Sequence, residues 1–156
     1  MSVTSSTDPV QAVKDILDNM TSADWSNLGD TPDRIEFAWT SEPSEKANRN
    51  RRDEAAIYLE SPVEGTFSPE STGVDHYTDS QAVLAQVRSG NESKTVNTAA
   101  DIKNHFITNY WTDNSQQSNW RIIRPNAESD LRSQGFYRGS FFIINVTLTL
   151  EALRTT

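Results

Sequence analysis

Residues 139–153 read GSFFIINVTLTLEAL, and the fold turns on how they are read. Phe142, Ile144, Val146, Leu148 and Leu150 occupy even positions, with Ile143, Asn145, Thr147 and Thr149 between them. A period of two marks a β-strand with one apolar face and one mostly polar face. The run exceeds the usual strand of about five or six residues. The even residues are expected to face the core. The threonine face or edge is expected to meet water or a neighbouring subunit, so that the sheet continues past its own chain.

Working back from this strand, NWRIIRP (119–125) reads as a short strand stopped by Pro125, joined to it by the connector NAESDLRSQG (126–135). TAADIKNHFITNYW (98–111) reads as a helix, with Thr98 and Asp101 as a capping box and Ile102, Phe106 and Tyr110 on one face. GNESKTVN before it reads as a turn. SQAVLAQVRS (80–89) suits either a helix or a strand, and the spacing of Val83, Ala85 and Val87 favours a strand. Two further strands are expected in RIEFAWT (34–40) and AAIYLES (55–61). STDPVQAVKDILDNM (6–20) is a first helix capped by Thr7 or Asp8, with Val10, Val13, Leu17 and Met20 as its apolar stripe. The order α, β, β, β, α, β, β predicts one α+β domain over residues 1–156. Its sheet is mostly antiparallel, of about four or five strands, with two helices packed on one face. Long loops are expected at 41–54 and 61–79.

A chain of 156 residues is large enough to bury about 68–70% of its unfolded surface, although only 35% of it is hydrophobic. It has no cysteine, which excludes disulfides, thiolate metal sites and thiol nucleophiles. The longest apolar run, AAIYL, is far shorter than the ~20 residues of a membrane span. The N-terminus has no basic and apolar segments of a secretory signal, so a soluble protein made in the cytoplasm is expected. A net charge of −8 argues against general affinity for nucleic-acid phosphates. Of fourteen cationic residues only Lys14, Lys46, Lys94 and Lys103 are lysines, against 22 carboxylates. This balance looks like adaptation to high salt, where at ~1 M the Debye length of about 3 Å makes carboxylate repulsion cheap. An ordinary acidic protein is the alternative, and dialysis into low salt separates the two.

Few residues point to chemistry. No P-loop, GxGxxG or GxSxG is present. His105 is expected at the edge of the buried helix face. His76 with Asp75 and Asp79 matches no standard metal spacing, and loop solvation explains them better. Asn19, Asn91 and Asn145 each start an N-x-S/T triplet, as chance predicts in a chain so rich in Ser and Thr. KANRNRRDE (46–54) concentrates Arg49, Arg51 and Arg52 in an acidic chain. Such a cluster can grip an acidic neighbour bidentately or line a passage for DNA, or it can be a solvated loop balanced by Glu42, Glu45, Asp53 and Glu54. Arg49, Arg51, Arg52, Thr147 and Thr149 are therefore the candidate subunit-interface residues. Catalytic, cofactor-binding and metal residues are not expected.

The element order, the capped helix TAADIKNHFITNYW and the closing WRIIRPNAESDLRSQGFYRGSFFIINVTLTLEA (120–152) resemble tail terminator and tail-completion proteins of siphovirus-like tailed viruses. Tyr137-Arg138 before the Phe-rich start of the last strand looks like the family's usual ending. The likeness spans most of the chain in element order but includes no signature residue, and the loops at 41–54 and 61–79 are longer than in a minimal member. It implies a structural virion protein, not an enzyme, located in the neck or tail. The homohexameric ring would cap the tail tube and join it to head-completion or adaptor proteins, with genome DNA passing through the bore without specific binding. The salt-adapted composition then implies a virus of halophilic archaea. The alternatives are a head-closure or adaptor connector, a small halophilic α+β enzyme or ligand-binding domain, and a regulatory module that pairs by strand addition. A closed ring distinguishes the connectors, and a pocket with convergent polar groups the enzyme or ligand-binder.

Overall fold

A computed structural model describes residues 8–38, 54–61, 66–69, 76–113, 119–125, 136–138 and 141–155. Its spine is the pairing of two long antiparallel strands. Strand β4 (His76–Ser89) lies against β7 (Phe141–Thr155) from His76↔Thr155 to Ser89↔Phe142. At about 3.4 Å per residue the pair is roughly 45 Å long. Around it, β1 (Arg34–Phe37), β2 (Ala56–Glu60), β4, β7 and β5 (Ile122–Pro125) follow in that order across the sheet. Two short strands join off this path, β3 (Thr66–Pro69) on β4 and β6 (Phe136–Arg138) on β7. β1 and β2 run parallel, and the other pairings are antiparallel. The fold is α+β with a mixed, mostly antiparallel sheet, as the sequence predicts.

Helix α1 (Pro9–Asp18) begins where Asp8 Oδ1 accepts from Val10 N at 2.9 Å, which selects Asp8 as the cap. Its stripe of Val10, Val13, Leu17 and Met20 is buried against β1, β2 and β4. Helix α2 (Glu92–Tyr110) packs on β4, β7 and β5. Both helices share one core with Ile57, Leu59, Val83, Ala85, Val87, Ile123 and the even residues of β7 from Ile144 to Ala152. The registers Val83↔Leu148, Ala85↔Val146 and Val87↔Ile144 place these residues on one face of the sheet. Residues 80–89 are therefore strand, because their alternate positions complete the surface that the helices cover.

Three expectations need correction. The first concerns α2, which starts at Glu92 rather than Thr98, so most of the expected turn GNESKTVN is helix. Its cap is Asn91, whose side chain accepts from Lys94 N at 3.1 Å. Thr98 and Asp101 are buried within the helix. The second concerns 61–79, where β3 and the start of β4 replace part of the expected loop. The third concerns the edge of β7. The strand has β4 on one side and β5 and β6 on the other, so it lies inside the sheet and cannot extend it along its paired stretches. The loop at 41–54 lies outside the described residues except for Glu54, as do Trp39 and Thr40 of the expected first strand.

Candidate subunit interface

Opposite neighbours in a ladder point to the same side of a sheet, so the registers also define the face turned away from the helices. Its rows include Glu36–Tyr58–Gln86–Asn145, Glu60–Leu84–Thr147, Ala82–Thr149–Arg124, Ser80–Glu151–Ile122 and Thr78–Leu153. The face divides into a networked half and an open half.

The networked half centres on Tyr58, only 2% exposed. The Arg88 and Arg34 guanidiniums lie 4.8 and 5.8 Å from the centre of its ring, and Arg34 Nη2 donates to its hydroxyl at 3.0 Å. Burial raises the Tyr58 pKa, with the two arginines pulling the other way and Glu36 and Glu54 adding to the rise. Arg34 also meets Glu54 at 3.2 Å and Glu36 at 3.6 Å, while Arg88 Nε donates to Gln86 Oε1 at 2.6 Å. Beside Gln86, Asn145 Oδ1 is buried and accepts no hydrogen bond.

In the open half Thr149 is exposed and Thr147 half-buried, as are Ala82 and Leu84. Leu153, at 44% exposure, is one of two exposed large hydrophobic residues among those described. The side chains in the middle of this half are small, hydroxylated or aliphatic. Charge lies around them, on Glu60, Glu151 and Arg124. Arg124 is itself held by the end of α2, its Nε donating to Trp111 O at 3.1 Å and its guanidinium 5.3 Å over the Trp111 ring.

Thr147 and Thr149 thus sit on the face that the sequence assigns to them, and Thr149, paired with Ala82 on one side and Arg124 on the other, is not at a strand edge. Arg49, Arg51 and Arg52 lie outside the described residues. Asp79, read in sequence beside His76, pairs with Arg154 at 3.5 Å and accepts from Gln81 at 2.9 Å. Asp75 lies outside the described residues. Among the described residues no group of three or more His, Asp or Glu is placed to hold a metal ion, and no helix is long and apolar enough to cross a membrane.

A second polar constellation escaped the sequence reading. Asp101, 1% exposed, accepts from Asn27 N at 3.0 Å, Asn27 Nδ2 at 2.7 Å and Leu28 N at 2.9 Å. These bonds fasten the loop Thr21–Gly29 to α2. Inside the loop, Asp24 Oδ2 accepts from Thr21 N, Trp25 is buried, and Gly29, at φ +85°, closes it by donating to Trp25 O. That backbone angle is costly for any residue with a Cβ. No family model matches the chain, and a search of curated proteins finds no match.

Proposed function

We propose that this chain is a structural protein of a tailed-virus neck, building a ring that caps the tail tube and joins it to head-completion proteins. The observation that carries the reading is the outer face of the β4–β7 pair. Both helices pack on the opposite side, leaving Thr149 and Leu153 exposed. This face rests on the most extensively paired strands of the sheet, so it presents a pre-ordered contact surface and little conformational entropy is lost when a partner binds. The element order that resembles tail terminators supports the same reading.

The role is mechanical, without catalysis, cofactor or metal, and its partners are further copies, the tail tube and a head-completion or adaptor protein. The net charge of −8 suits a bore through which DNA slides without being held. Carboxylates are expected to outnumber arginines on the lumen. The halophilic host follows from the composition and belongs to the same proposal.

Replacing an exposed threonine in the middle of the face tests it. Thr149→Arg is expected to leave the circular dichroism spectrum and unfolding midpoint close to wild type, because Thr149 is exposed. It should nevertheless shift the native mass from ring to smaller species. An intact ring in this variant would remove the outer face from the assembly.

A further inference from the structure

The registers of the sheet repeat themselves about one point. In the β4–β7 ladder Leu84 faces Thr147, and a two-fold axis normal to the sheet through this pair carries β4 onto β7. Under that axis Ala85–Arg88, paired with β2, falls on Leu148–Glu151, the stretch paired with β5. Likewise Thr78–Ser80, paired with β3, falls on Phe141–Ile143, the stretch paired with β6. Each long strand is thus flanked by two short antiparallel strands that precede it in the chain. The helices obey the same axis. On one face of the sheet α1 lies against β2 and β4, and α2 against β5 and β7.

Side chains follow the backbone. On the core face Val83, Ala85 and Val87 correspond to Val146, Leu148 and Leu150, and Ile57 of β2 corresponds to Ile123 of β5, all of them buried. The buried Val10, Val13 and Leu17 of α1 have the spacing of the buried Ala99, Ile102 and Phe106 of α2. On the outer face Tyr58 corresponds to Arg124. The Arg34 guanidinium lies 5.8 Å over the Tyr58 ring, and the Arg124 guanidinium 5.3 Å over the Trp111 ring. Both halves therefore make a cation–π pair at this place, with the cation and the ring exchanged. Arg34 and Trp111 each belong to the segment that follows the helix of their own half. β1 is the element that differs, having no counterpart among the described residues between α2 and β5.

We infer that the domain is an internal repeat, one unit running from α1 to β4 and the other from α2 to β7, and that the β4–β7 ladder is the interface between the two. The ladder has the symmetry of a contact between like subunits, since Val83 faces Leu148 and, across the axis, Val146 faces Ala85. Each unit supplies one long strand whose inner edge is paired only by the other unit, so neither completes the sheet alone. The units meet in the chain at Gly90, where Ser89 Oγ donates to Asn91 O at 2.7 Å and lies 2.8 Å from Thr95 Oγ1. The inference is independent of any ring and of the role proposed for the outer face.

A flexible protease site inserted between Gly90 and Asn91 of the full chain tests it. The insertion separates Ser89 from Asn91 and Thr95 but leaves the Asn91 cap of α2 in place. The uncleaved chain should therefore keep the wild-type circular dichroism spectrum. After cleavage the two units should elute together in molar salt. Unfolded in urea and diluted, they should regain the native spectrum at a rate that rises with protein concentration, because two separate chains must first meet. Cleaved units that stay unfolded under conditions where the uncleaved chain refolds would overturn the inference. An uncleaved insertion chain that fails to fold would overturn it too, since the joint would then lie within one folding unit and not between two.

Discussion

Asp101 carries more of the fold than its sequence setting indicates. Its carboxylate takes two backbone donors and one side-chain donor from a loop more than 70 residues earlier in the chain. Asp101→Ala would leave two backbone N–H groups of that loop without their acceptor, at a cost of about 3 kcal/mol. Urea unfolding in molar salt should show this loss, and a loss below about 1 kcal/mol would mean that water replaces the carboxylate. The role was illegible because nothing local marks it. Close to Thr98, an Asp reads as half of a capping box, and its true partners are brought near only by tertiary packing. The even residues of β7 were legible, since period two is a local property and every position from Ile144 to Ala152 obeys it. His105 at the margin of a buried helix face was legible for the same reason.

At the scale of elements, α2 shows where local reading fails. Its first turns contain Ser93, Thr95 and Asn97, which favour turns over helix by propensity. In the helix, Thr95 Oγ1 donates to Asn91 O at 2.9 Å and Thr98 Oγ1 to Lys94 O at 2.7 Å, so their hydroxyls are satisfied while buried against the sheet. Ser89, fully buried, adds a bond to Asn91 O at 2.7 Å and fixes the strand-to-helix corner. Asn91→Ala should therefore cost about 1 kcal/mol, measured by chemical unfolding, as expected for a lost helix cap. A negligible cost would place the effective start of the helix later, near Thr98. β3 was illegible for another reason. Its four residues lie in a stretch rich in Pro and Gly, and only the hairpin ladder to Tyr77–Ser80 makes them a strand. The parallel pairing of β1 with β2 is likewise set by the sheet and not by either segment.

At the scale of the whole molecule, the strand 141–155 has two jobs divided between its faces. One closes the core beneath both helices, and the other carries Asn145, Thr147, Thr149 and Leu153 away from it. The sequence showed this division but not the strand's central place in the sheet, because pairing partners leave no mark on a strand's own period. As a result the proposed contact between copies runs across the face of the sheet instead of along its edge. Closed rings of identical subunits repeat one such heterologous contact until the rotation closes. The measurement that tests this account most directly is the native mass of the wild-type chain in molar salt, by light scattering after size exclusion with negative-stain images of the same fraction. The account predicts a closed ring, the homohexamer of the proposed function. A monomer that persists at every concentration, with or without tail tubes present, would contradict it.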